Sequence, residues 1–216
     1  MYQVTVAICC YKQKKWLYRC LRSLASQTLN KNYFEVIVVN DDPTERLEEV
    51  CDLMRGHLNI TLINNQENLG LPKSLNKILS ITKGRYFVRV DSDDYVSKHF
   101  LYMLSTYLFM RRDIQAVSSD YKKVNEVGTN LEPHCSAEQD FIACGIMFTY
   151  ESLCDLGFYN EQFKMREGHE LISRFREKYQ LDFLKIPLYR YRIHSSNRTS
   201  NKKNVEKFDS LLNNND

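Results

Sequence analysis

The feature that most limits what this chain can fold into is an alternation running through about its first ninety residues: apolar runs of strand length, each followed by a helical pattern. Val4 to Cys10 is apolar enough to be buried on both faces, and Lys14 to Gln27 sets Trp16, Leu17, Cys20, Leu21 and Leu24 at helical spacing. Phe34 to Val39 (FEVIVV) reads as a second buried strand ending at Asn40-Asp41-Asp42-Pro43, and Thr44 to Arg55 as a helix carrying Leu47, Val50, Cys51 and Met54. Ile60 to Asn64 is a third strand. Asn68-Leu-Gly-Leu-Pro72 is a loop opening a helix from Lys73 to Thr82, which Lys83-Gly84 ends before a fourth strand, Tyr86 to Val90. Such alternation gives an α/β fold with a mostly parallel sheet, whose ligands sit where loops leave the carboxyl ends of the strands. Asp41 and Asp42, Gly70 and Lys73, and an aspartate cluster after Val90 all fall on that rim.

Past Val96 the pattern changes. A helix is expected at Phe100 to Arg111, a strand at Ala116 to Val124, a polar segment from Asn125 to Asp140, and an apolar run from Phe141 to Phe148. Helices follow at Tyr150 to Leu156 and Gly168 to Tyr179, then a strand at Leu181 to Ile186, and Tyr189 to His194 leads into a Ser/Asn-rich loop. The polar tail, Asn201 to Asp216, reads as a loosely attached helix. No repeat, low-complexity tract or sharp linker divides the 216 residues, so one domain over 1–200 is expected.

Thirty basic against 27 acidic residues leave a net charge of +3, which gives no global case for a nucleic-acid partner. Seven cysteines without CxxC spacing read as reduced, mostly buried thiols; His134, Cys135, Cys144 and Cys154 match no common zinc pattern. No run approaches the roughly 20 apolar residues that cross a bilayer. The amino terminus reads as a first strand rather than a signal peptide, so a cytoplasmic location is expected.

The chemistry concentrates in Arg85 to Tyr95, RYFVRVDSDDY, where a strand runs into Asp91, Asp93 and Asp94. Two carboxylates two positions apart make a half-built site for a hard cation such as magnesium or manganese, completed by waters and ligand phosphates. The alternative is a helix start, with Asp93 or Asp94 capping a helix that begins between Val96 and Phe100.

From Val4 to about Asn201 the chain resembles the family 2 glycosyltransferases of the GT-A fold. VTVAICCYKQKKWLYRCLRSLASQT is similar to that family's opening strand and helix, and VIVVNDDPTE to its nucleotide-base loop. NLGLPKSLNKILSITKGRYFVRVDSDD resembles the segment entering its DxD metal motif, and GFYNEQFKMREGHELISRF its acceptor-side helix. The resemblance implies a nucleotide-sugar half over about 1–95 and an acceptor-side half over 96–200. Cys9 and Tyr11 would lie beside the base, and Asp41 or Asp42 would meet base or ribose, unless the Asp41-Asp42-Pro43 turn is only an Asx turn closing its strand. Gly70 and Lys73 would reach the phosphates, with a solvated surface lysine as the alternative. Asp91, Ser92 and Asp93 would lie over ribose and diphosphate, with Asp93, Asp91 and His194 around Mn2+ or Mg2+. His194, in Tyr191-Arg-Ile-His, and Arg198 would fold over the donor diphosphate.

The acceptor side departs from the family pattern. Aligning Leu171 and Arg174 puts Glu167 at the family's Glu and Gly168 where its catalytic Asp belongs. Glu170 is the first substitute for the base, ahead of Glu167 and His169, and the alternative is that all three form a solvated helix start. The resemblance therefore implies inverting, metal-dependent transfer from a nucleoside diphosphate sugar, UDP foremost, to the hydroxyl of a saccharide or lipid-linked saccharide. The basic residues between Arg190 and Lys207 leave peripheral membrane contact open. A non-catalytic sugar-nucleotide binder is the alternative from another class. A nucleotidyltransferase would want a Gly-rich basic loop near the amino terminus, and Ala7 to Lys12 has no glycine.

Overall fold

The computed structural model describes residues 3–131, 134–195 and 197. The opening alternation is present as strand β1 (Val4–Cys10), helix α1 (Lys14–Ala25), β2 (Phe34–Asn40), α2 (Glu48–Asp52), β3 (Ile60–Asn64), α3 (Leu71–Leu79) and β4 (Tyr86–Arg89). These four strands pair in parallel as β3-β2-β1-β4, so their carboxyl ends share one rim. All seven residues of β2 are buried, as a parallel strand covered on both faces requires. Side chains alternate between two cores. Val4, Val6 and Ile8 pack with Val36, Val38, Leu17 and Leu21 on one face, and Ala7, Ile37 and Val39 with Leu75, Ile78 and Phe175 on the other. Gly84 lets the chain enter β4 against β1, because a Cβ there would sit 2.4 Å from the Thr5 nitrogen.

The second half adds β5 (Tyr95–Val96), α4 (Phe100–Met110), β6 (Ala116–Val124), β7 (Met147–Thr149), α5 (Tyr150–Asp155), α6 (Glu167–Lys178) and β8 (Leu181–Arg192). The sheet then reads β3-β2-β1-β4-β7-β6-β8-β5. Strand β7 is antiparallel to both β4 and β6, β8 runs parallel to β6, and β5 antiparallel to β8. The sheet is thus parallel in its first half and mixed in its second.

Three local expectations change. Helix α2 is only five residues, because Asp42 captures the Thr44 nitrogen in a turn and the Asn40 side chain holds the Glu45 carbonyl, delaying helical geometry. Strand β8 extends six residues past Ile186. A register shift against β6 between Ser119 and Tyr121 absorbs Pro187, which cannot donate to a ladder, and pairing then resumes to Arg192. Neither Asp93 nor Asp94 caps a helix, since α4 begins at Phe100 behind His99. The tail expected as a helix, 201–216, lies outside the described residues.

Candidate active site at the carboxyl rim

The three aspartates leave β4 in a turn, with the Asp94 nitrogen donating to the Asp91 carbonyl, and each carboxylate has a different partner. Asp94 is a buried structural anchor. Its Oδ2 accepts from the Tyr189 hydroxyl at 2.8 Å and its Oδ1 from the Arg192 nitrogen at 2.7 Å, which ties β8 to the end of β4. Burial, then the charges of Asp93 and Asp91, push its carboxyl well above the ordinary range. Asp91 gives both oxygens to Arg89, at 2.5 and 3.0 Å. Asp93 pairs through Oδ2 with His194 Nε2 at 2.8 Å and with Gln13 Nε2 at 2.9 Å, while its Oδ1 takes no hydrogen bond from another described residue. Burial and the Asp91 charge push the Asp93 carboxyl up, and the His194 contact pulls it back.

His194 is not an exposed residue at a loop start. It is buried and stacks on Trp16 of α1, ring centroids 4.1 Å apart, so α1 and β8 together aim it at Asp93. Gln13 precedes α1 and also accepts from the Ser92 hydroxyl, joining the first loop to the aspartate turn. Three carboxylates and an imidazole are the donor types that hold Mg2+ or Mn2+. The ligand atoms of Asp91, Asp94 and Cys144 also lie within 4.8 Å of one another. Because Asp94 is committed to β8, Asp93 and His194 are the better placed for a cation.

Along the rest of the rim, the expected nucleotide residues divide. Asp41 accepts from Asn65 Nδ2 and the Leu69 nitrogen on Oδ1, and from the Gly70 nitrogen on Oδ2, so it shapes the loop after β3. Gly70 needs its freedom there, with φ at +83° ahead of α3. Asp42 accepts from both the nitrogen and the hydroxyl of Thr44, which is the Asx turn weighed above, and this holds its carboxyl below the ordinary range. Lys73 is exposed on the first turn of α3, Tyr11 is exposed, and Cys9 is half-buried at the end of β1. Arg198 lies outside the described residues. No disulfide joins the seven cysteines, and burial pushes the thiols of Cys9, Cys10, Cys20 and Cys144 upward, so none of these four is an activated nucleophile.

On the acceptor side, Arg166 adopts φ +63° and turns the chain so that Glu167 starts α6 facing β4. Glu167 Oε1 accepts from Arg89 Nη1 at 2.9 Å; its Oε2 has no hydrogen bond among the described residues. Glu170 points along the helix and gives both oxygens to Arg174, at 2.7 and 2.9 Å; Arg174 is itself fixed on the Leu156 and Phe158 carbonyls. Both glutamates are buried, so they are not a solvated helix start. His169 is half-buried between Arg166 and the Phe141 ring. Gly168 is closed off, because a Cβ there would lie 2.4 Å from the Ala143 Cβ. The sequence reading passed over Arg89, although a lone cation in the buried run YFVRV is itself a signal.

Comparison with known proteins agrees with this geometry. The glycosyl transferase family 2 model matches residues 5–179. An uncharacterized glycosyltransferase of Haemophilus influenzae is 33% identical over 120 residues, 54% of this chain and 36% of the relative. The poly(ribitol-phosphate) beta-N-acetylglucosaminyltransferase TarS of Staphylococcus aureus is 34% identical over 102 residues, 47% of this chain and 18% of TarS. The chain thus spans well under half the length of these relatives. The structure of TarS 1–349 in complex with UDP-GlcNAc superposes with a TM-score of 0.77 at 23% identity, covering 92% of this chain and 61% of that one. The mannosyltransferase PcManGT of Pyrobaculum calidifontis, in complex with GDP-Man and Mn2+, gives 0.69 at 17% identity, over 95% and 61%. The fold is that of the GT-A glycosyltransferases, and the chain belongs to glycosyl transferase family 2.

Proposed function

We propose that this chain transfers a sugar from a nucleoside diphosphate donor, with UDP the favoured nucleotide, to a hydroxyl of a saccharide or lipid-linked saccharide, with inversion at the anomeric carbon. The observation that carries the reading is the Asp93–His194 pair: residues 101 positions apart meet at 2.8 Å on the rim where parallel sheets take their ligands, with the contacts to His194 and Gln13 both on Oδ2 and none from another described residue on Oδ1. Asp93 and His194 would hold Mn2+ or Mg2+, which when bound neutralises charge on the departing diphosphate. TarS with UDP-GlcNAc and PcManGT with GDP-Man and Mn2+ support a sugar-nucleotide donor on this fold.

Glu167 is the base in this reading, ahead of Glu170. A base needs a carboxylate oxygen open to the acceptor. Glu167 Oε2 is open and Glu170 has both oxygens on Arg174. The acceptor hydroxyl gives its proton to Glu167 as its oxygen attacks the anomeric carbon, and the bond from that carbon to the diphosphate oxygen breaks on the opposite side. The test is Asp93→Ala, which is expected to abolish metal-dependent transfer while the variant still folds cooperatively, at a melting temperature lowered by the loss of the His194 and Gln13 contacts. Unchanged turnover would refute the cation assignment. A second reading, donor binding without transfer, draws on the closed position at Gly168; in that case Glu167→Gln leaves donor binding intact and there is no transfer to lose.

A further inference from the structure

Arg89 is 8% exposed at the carboxyl end of a fully buried strand whose other residues are Tyr86, Phe87 and Val88. A guanidinium in such a place is costly to desolvate, and well-packed apolar residues commonly serve stability as well or better than a buried ion pair. Its reason for being there has to be sought in geometry. Nε and Nη2 hold the two oxygens of Asp91, and Nη1 holds Glu167 Oε1, so one planar fork spans the donor-side carboxylate and the acceptor-side carboxylate. Burial works against the charge, but Asp91 and Glu167 together outweigh it and keep the guanidinium protonated.

We infer that Arg89 is a positioning residue that couples occupancy at Asp91 to the orientation of Glu167, an inference that rests on the transferase reading above. Two carboxylates share one cation. Asp91 stands two residues from Asp93; were a divalent cation and diphosphate bound there to draw on Asp91 as well, Arg89 would turn its charge toward Glu167 and hold it beside the acceptor. When Glu167 is neutralised, Arg89 gives its whole charge to Asp91 and competes harder with the incoming cation. Linkage makes these one effect seen from two sides. A lysine cannot replace the fork, because a point charge cannot hold three oxygens in this geometry.

The experiment is calorimetric binding of UDP with Mn2+ to the full chain, in the wild type, Glu167→Gln, Arg89→Met and the double variant. Glu167→Gln is expected to weaken Mn2+·UDP binding by about 5-fold or more, the usual floor for coupled sites, and the same substitution in the Arg89→Met background is expected to change nothing further. Arg89→Lys covers the case in which Arg89→Met does not fold; it should bind Mn2+·UDP and show a lower kcat with little change in donor KM. Equal Mn2+·UDP affinity in wild type and Glu167→Gln overturns the coupling while leaving the transferase reading standing. If wild type binds no Mn2+·UDP, the reading with UDP as donor nucleotide falls, and a melting-temperature cycle of Asp91→Asn and Glu167→Gln still tests the bridge: losses that simply add overturn it, and losses that do not add support it.

Discussion

At the scale of single residues, the candidate site sorts carboxylates by what already holds them. Glu170 and Asp94 have both oxygens taken by protein groups, whereas Glu167 and Asp93 each keep one open. Glu167→Gln is therefore expected to cut transfer by about 100-fold or more, the usual contribution of a general base. Glu170→Gln is expected to spare most of the activity and lower the melting temperature, because it weakens the clamp on Arg174; steady-state kinetics with a melting curve separate the two. Asp42 gives a pH signature. Its folded pKa lies below the ordinary 3.8, chiefly through the Thr44 hydroxyl and then the Thr44 nitrogen. That contribution to stability is present above the ordinary value and lost as pH falls through the folded one. Thr44→Val should narrow the difference in melting temperature between neutral and acid pH. Asp91, Asp93 and Asp94 were legible in the sequence as a cluster, but their division of labour was not. It depends on Arg89 nearby and on Tyr189, Arg192 and His194 about a hundred residues away.

At the scale of elements, helix α6 and strand β8 decide what the rim can do. Gly168 lets α6 approach the 141–146 segment closely enough to aim Glu167 at β4. Gly168→Ala would force the 2.4 Å contact with Ala143 apart, at about 1–3 kcal/mol for overpacking. The helical gain from replacing glycine is at most about 1 kcal/mol, so a net loss of stability is expected in chemical denaturation. Adding Ala143→Gly should recover part of it. Tyr189→Phe strips the hydroxyl donor from buried Asp94, and a loss of about 1–3 kcal/mol follows. Strands β1, β2 and β4 could be read from sequence because burial on both faces leaves nearly continuous apolar runs, broken only by Thr5, Glu35, Asn40 and Arg89. The full length of β8 could not, since Lys185 and Pro187 interrupt its pattern and only pairing with β6 and β5 carries it to Arg192.

At the scale of the whole molecule, a parallel half-sheet gathers the loops after β1, β2, β3 and β4 on one rim, and the mixed half returns α6 and β8 to the same rim. That these loops share one rim followed from the alternation of strands and helices, which the sequence alone carries. The pairing of donor-side with acceptor-side groups did not, because Arg89 and Glu167 are 78 residues apart and meet only through the packing of α6 against β4. In the proposed reading Asp93 and His194 complete a cation-dependent sugar-nucleotide site, and the decisive measurement is calorimetric titration of UDP, with Mn2+ and then with EDTA. Binding of UDP that requires Mn2+ and is lost in Asp93→Ala is the predicted result. UDP affinity that is the same with Mn2+, with EDTA and in Asp93→Ala would contradict it.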